Sequence, residues 1–254
     1  MGTRSETVEI LVEDERMAGT FLSPPNKVPG VLFVHGWGGS QERDLERARG
    51  IAGLGCVCLT FDLRGHVKNS ERQQTVTREE NLRDLVEAYD CLRRHPAIDT
   101  SAIAVVGTSY GAYLSTILTT LRPVKWLSLR VPSIYRDEQW DFPKRKLDRD
   151  DLAKYRSSFI PANDNRALMA CLQFRGDVLI VQSENDHLVP HSTIMSYRAA
   201  FQHSHSLTHR VIDNADHALT EKAAQHAYTS ILVNWITEMV VRSRVGGAPH
   251  WARH

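Results

Sequence analysis

The stretch Ile103-Ala104-Val105-Val106-Gly107-Thr108-Ser109-Tyr110-Gly111 decides how this 254-residue chain is read. Four apolar residues make a short strand with no polar face, and a helical pattern starts at Tyr110 and runs to Leu121. Between them lies G-x-S-x-G. A strand that turns sharply into a helix holds the corner residue in a strained backbone conformation, so the residues two away must be small for the chain to pass. The corner serine then stands clear of the sheet, at a helix N-terminus whose dipole favours developing negative charge. In this strand–turn–helix context the motif reads as a nucleophile elbow. Outside that context it would be a tight turn with an N-cap serine.

The same alternation extends in both directions. Residues 7–12 and 17–22 read as a hairpin around Glu13-Asp14-Glu15-Arg16. Residues 31–34, 56–61, 126–129, 178–181 and 209–212 are further short apolar strands. Helices are expected over 43–53, 79–94, 193–201 and 218–240, the second carrying Leu82, Leu85, Val86, Tyr89 and Leu92 at helical spacing and ending before Pro96. Strand–helix alternation of this kind predicts an α/β protein, a mostly parallel twisted sheet with helices on both faces and the hairpin as an antiparallel edge. Residues 132–175 break the rhythm with dense charge and the aromatics Tyr135, Trp140, Phe142, Tyr155 and Phe159. We read them as a small helical lid inserted into one domain spanning 1–254, too short for a core of its own.

Composition sets the outer limits. Lys and Arg number 31 against 30 Asp and Glu, a net charge of +1, which gives no electrostatic reason for a nucleic-acid or anionic-membrane partner. No apolar run approaches the ~18 residues of a membrane span. The polar start Met1-Gly2-Thr3-Arg4-Ser5-Glu6 lacks the apolar core of a signal peptide, and Glu6 stands where a myristoylation pattern needs Ser or Thr. A cytoplasmic protein is expected. Cys56, Cys58, Cys91 and Cys171 show no CxxC spacing and read as reduced core residues. No feature of the sequence specifies an oligomeric state.

Three further motifs fall in order around the elbow: His35-Gly36-Trp37-Gly38-Gly39 after the strand at 31–34, Ser183-Glu184-Asn185-Asp186-His187-Leu188-Val189-Pro190, and Asn214-Ala215-Asp216-His217. With Asp62-Leu63-Arg64-Gly65-His66, they resemble the α/β-hydrolase superfamily, and more narrowly its small-lid serine esterases, the feruloyl-esterase-like and dienelactone-hydrolase-like groups. The resemblance covers the chain apart from the lid and the tail after Arg242. It implies an oxyanion loop donating the Trp37 backbone N–H beside that of Tyr110, a triad acid at Asp186 and a triad histidine at His217. Val67 departs from the pattern, which usually continues with glycine.

Independently of the resemblance, the order Ser109, Asp186, His217 is the one expected for this fold, and each residue follows a strand, where open parallel sheets bind ligands. Asp213 and Asp216 are rival acids but share the histidine's own segment. His187 sits beside the proposed acid and cannot readily use it. His203, His205 and His209 flank a connection, and no metal site is expected. Asp62, Arg64 and His66 read as braces for the turn and the oxyanion loop. The run Lys144-Arg145-Lys146 reads as a solvated face. Tyr135, Trp140 and Phe142 are candidate substrate-wall residues, or lid core. The expected activity is hydrolysis of a small-molecule carboxylic ester through an acyl-enzyme without a cofactor, the lid aromatics favouring an apolar or aromatic group. Thioester, amide or acyl-transfer chemistry would use the same groups, and a ligand-binding protein of the same fold stays open.

Overall fold

Continuous apolar runs occupy the centre of the sheet because helices cover both of its faces. In the computed structural model, which describes residues 4–23 and 28–246, strand β3 (Val28–Val34) is buried at every position. Leu32 and Val34 enter one hydrophobic layer while Val31 and Phe33 enter the other, as the two-residue side-chain period requires. Residues 1–3, with the start of the polar N-terminus read above, and 247–254, the end of the tail, lie outside the described residues, as do 24–27.

The remaining strands are β1 (Arg4–Val12), β2 (Glu15–Ser23), β4 (Val57–Phe61), β5 (Ile98–Thr108), β6 (Trp126–Arg130), β7 (Asp177–Ser183) and β8 (Ser206–Ile212). They form one sheet in the order β1-β2-β4-β3-β5-β6-β7-β8. The hairpin pairs antiparallel with itself and with β4; every other pairing is parallel. Helices α1 (Glu42–Gly53) and α7 (Lys222–Gly246) pack on one face. On the other lie α2 (Arg78–Arg94), α3 (Tyr110–Leu118), α5 (Arg166–Gln173) and α6 (His191–Ala200). The fold is that of the α/β-hydrolases.

Helix boundaries differ from the sequence reading where side chains cap. Thr77 Oγ1 accepts from the Glu80 N–H at 3.1 Å, and the Glu80 carboxylate accepts from the Thr77 N–H at 2.8 Å. This capping box starts α2 at Arg78. The last helix starts at Lys222 rather than 218, because Asp216 takes up the Thr220 N–H at 2.8 Å and Leu219 adopts a left-handed φ of 54°.

Between β6 and β7 come 3-10 turns at Asp137–Gln139, Lys144–Lys146 and Ala162–Asp164, with α4 (Arg149–Arg156) between the second and third. This part docks near the C-terminal ends of the strands: Pro143 bridges Thr77, and the Lys144 N–H donates to the Val76 carbonyl at 3.0 Å. The end of the segment is different in kind. Ala167, Leu168 and Cys171 of α5 are buried in the same layer as α3 and α6. No described helix is long and apolar enough to cross a membrane.

Candidate active site

Ser109 stands at the corner between β5 and α3 with φ 52° and ψ −110°, a conformation that costs a non-glycine residue on the order of 1–3 kcal/mol. The flanking glycines are needed for space. A Cβ on Gly111 would lie 2.3 Å from the Val34 carbonyl oxygen, and one on Gly107 would lie 2.5 Å from Ala112 Cα. The Ser109 N–H is tied to the neighbouring strand's Arg130 carbonyl at 2.8 Å.

The loops after β7 and β8 bring two more groups to it. His217 Nε2 lies 3.0 Å from Ser109 Oγ, and His217 Nδ1 lies 2.7 Å from Asp186 Oδ2. The other Asp186 oxygen, Oδ1, accepts the backbone N–H groups of Leu188 and Val189, both at 2.8 Å. The carboxylate therefore has one orientation. Its side chain is 3% exposed and that of His217 is 21% exposed. The loops are fastened to each other, with the Asn185 N–H on the Ala215 carbonyl at 2.8 Å and the Asn214 N–H on Glu184 at 2.6 Å. The rival acids are elsewhere: Asp216 holds Thr220, and Asp213 is exposed. His187 is also exposed, and His205 pairs with Asp177 at 2.7 Å. No group of three or more His, Cys, Asp or Glu side chains is placed to hold a metal among the described residues.

Two residues the sequence reading passed over complete this frame. Both terminal nitrogens of Arg130 donate to the His217 carbonyl at 3.0 Å. Since the Arg130 carbonyl also holds Ser109, one residue braces both. Its signal was a buried cation closing the apolar run Trp126-Leu127-Ser128-Leu129. The second, Ser133, has its hydroxyl 3.0 Å from that of Ser109.

The loop after β3 lies against the elbow; a Cβ on Gly36 would sit 3.3 Å from Ser109 Cβ. His35 shapes it, donating from Nδ1 to the Gly36 carbonyl at 2.8 Å and accepting the Leu63 N–H at Nε2, 3.1 Å away. Burial pulls its pKa from 6.5 to about 3, so the ring is neutral, as those two bonds require. Gly38 takes a φ of 76°. The backbone N–H groups of Trp37 and Tyr110 have no protein acceptor among the described residues, and their rings meet edge to face at 5.5 Å.

The 62–66 turn braces this loop. Asp62 accepts the Gln41 N–H at 2.8 Å, buried Arg64 pairs with Asp84, and the His66 ring packs 4.8 Å from that of Trp37. Val67, where the resemblance leads one to expect glycine, sits at φ 46°, the left-handed region that glycine suits.

The candidate wall residues are not brought to the cavity that opens at Ser109. Tyr135 is buried behind the elbow against Tyr110 and Tyr113. Trp140 donates its indole N–H to Glu79 and is flanked by Arg78 and Arg166. Phe142 is exposed and lines no part of the cavity. The cavity, about 700 Å³, runs instead between α1 and the start of α7, past Arg43, Arg47, Gln225 and Thr229. Nor is Lys144 a solvated charge: its Nζ lies 4.1 Å from the Trp37 ring centroid, with Tyr110 and Tyr135 at 5.3 and 5.4 Å.

Comparison with known proteins agrees with the fold. A family model described as the Alpha/beta hydrolase family matches residues 31–228. Two uncharacterised proteins of Mycobacterium tuberculosis are each 34% identical over 105 residues, 41% of this chain and 36% of theirs. The chain thus aligns with little more than a third of those relatives' length. Among solved structures, dienelactone hydrolase from Anabaena variabilis superposes with a TM-score of 0.68 at 18% identity, over 93% of this chain and 98% of the other. Est1E from Butyrivibrio proteoclasticus, with ferulic acid bound, gives 0.71 at 14% identity over 92% and 99%. The acylaminoacyl peptidase of Pyrococcus horikoshii gives 0.69 at 14%, over 94% and 42%. At these identities the structures share the fold.

Proposed function

This chain belongs to the alpha/beta hydrolase family, and from that premise we propose that it is a serine hydrolase cleaving a small carboxylic ester through an acyl-enzyme. The observation that carries the reading is the unbroken line from Asp186 through His217 to Ser109, with contacts of 2.7 and 3.0 Å. Ser109 Oγ attacks the carbonyl carbon as His217 Nε2 takes its proton. Asp186 holds the imidazole in the tautomer whose Nε2 is an acceptor and stabilises the imidazolium that forms. The carbonyl oxygen, now negative, is bound by the Trp37 and Tyr110 N–H groups. His217 gives its proton to the leaving alcohol, then activates water to release the acid.

The cavity supports a substrate that carries both polar and apolar groups, because charged and polar side chains of α1 and α7 wall it together with Trp37, Ala218 and Leu219. Residues 132–165 act in this reading as a lid fixed at its Trp140 and Lys144 contacts. A cytoplasmic place is part of this reading, on cysteines that form no disulfide among the described residues.

The test pairs labelling with turnover. A fluorophosphonate should modify the protein at Ser109, and Ser109→Ala should be unlabelled, folded, and slower on a short ester by on the order of 10⁶. Retention of more than a few per cent of the rate would assign the nucleophile elsewhere. Label without turnover of any ester, thioester or amide in a broad panel would favour a ligand-binding role.

A further inference from the structure

Ser109 Oγ is held from two sides. His217 Nδ1 faces the Asp186 carboxylate at 2.7 Å and must donate to it, leaving Nε2 as the acceptor of the single Ser109 hydroxyl proton. The second contact of that oxygen, 3.0 Å from Ser133 Oγ, can then only be made with Ser133 as donor. Ser133 is fixed for this. It is 2% exposed, its N–H donates to the Ser109 carbonyl at 3.1 Å, and its own carbonyl accepts the Tyr197 hydroxyl at 2.7 Å.

Behind Ser133 stands the buried ring of Tyr135. It is surrounded by cations, with Arg156 at 4.9 Å, Lys144 at 5.4 Å and Arg78 at 5.5 Å from its centroid.

We propose, on the reading that Ser109 is the nucleophile, that Ser133 is a second catalytic hydroxyl, donating to Ser109 Oγ as that oxygen becomes negative. The donor order is Ser133 to Ser109 to His217. As Ser109 attacks, its O–H bond breaks and the proton passes to His217 Nε2. The Oγ–C bond forms, and the carbonyl π pair moves onto the carbonyl oxygen. The Ser133 proton stays on Ser133 throughout. Its bond to Ser109 passes from neutral to charge-assisted, about a doubling in strength, and only this difference accelerates the step. A gain on the order of tenfold is expected.

The test is the second-order rate of fluorophosphonate labelling, with thermal melts beside it. Ser133→Ala should slow labelling about tenfold. Ser133→Cys, which keeps only a weak donor at the same place, should slow it by a smaller factor, about threefold. Ser133→Ala labelling at the full rate would overturn the proposal. If Ser133→Ala does not fold, Ser133→Cys decides alone, and an unchanged rate refutes it. Absence of label in the unaltered protein would remove the Ser109 reading itself, and this inference with it.

Discussion

Replacing Asp186 by Asn changes one atom and should disable the site through a proton. Asp186 Oδ1 accepts two backbone N–H groups, from Leu188 and Val189 at 2.8 Å, while Oδ2 meets His217 Nδ1 at 2.7 Å. An asparagine has one oxygen to offer. If the oxygen stays on the two backbone donors, the amide NH₂ faces Nδ1, which must then present a lone pair. The imidazole proton moves to Nε2, where it points at Ser109 Oγ and can no longer accept the serine proton. If the amide flips instead, its NH₂ faces two N–H donors, leaving both unpaired at about 1–3 kcal/mol each. The tautomer switch is therefore the cheaper outcome. In serine proteases the same exchange lowers turnover about 10⁴-fold, which corresponds to ~5.4 kcal/mol of barrier. The assay is the initial rate on p-nitrophenyl acetate at neutral pH, alongside circular dichroism and a thermal melt. The melt should hardly move, since the isostere keeps both backbone bonds. A folded Asp186→Asn protein with more than about one per cent of the rate would refute the reasoning, above all if Asp213→Asn or Asp216→Asn were crippling.

Four other outcomes are expected. Arg130→Met removes both bonds to the His217 carbonyl and should lower kcat up to ~10²-fold by letting the base drift; an unchanged kcat in folded protein would deny Arg130 that role. Trp140→Ala should cost about 1–2 kcal/mol of stability, in a melt, through its lost contacts with Glu79 and Arg166. Neither it nor Phe142→Ala should change the ranking of esters by size, whereas Thr229→Phe, which narrows the cavity, should; the reverse pattern in kcat/KM would return specificity to the lid. Lastly, His35 is neutral in the folded protein down to about pH 3, while the unfolded chain takes up a proton near 6.5. Its stabilising effect is complete above pH 6.5 and is lost as pH falls toward 3, by a few kcal/mol on the order of 1.4 per pH unit. Asp84, pushed up to about 6 by burial, acts in the opposite sense between about 6 and 3.8 and offsets part of this. Melts from pH 7 to 4 should fall less steeply in His35→Gln than in the unaltered protein; parallel slopes would show that His35 does not govern acid sensitivity.

Sequence by itself determined the layers and the sharp corner at Ser109. Fully apolar runs such as Val31-Leu32-Phe33-Val34 specify strands buried on both faces, and G-x-S-x-G between strand and helix admits one corner conformation, which the 2.3 Å approach at Gly111 explains. These are local constraints, carried by neighbours in the chain. Tertiary structure decided everything that depends on direction across the fold. Asp186, Asp213 and Asp216 are alike as letters; only the turn at Leu188 and Val189 aims one carboxylate at His217. Tyr135 could be read as substrate wall or as lid core and lies behind the elbow, while the cavity opens between two helices whose charged residues carried no motif. Lys144, part of an exposed-looking basic run, is drawn over Trp37 because aromatic faces from separate segments meet there. Arg130 and His217 are 87 positions apart, and Ser109 and His217 are 108 apart. No periodicity reaches across such distances, since which residues meet is set by the packing of strands and loops that fold from separate parts of the chain.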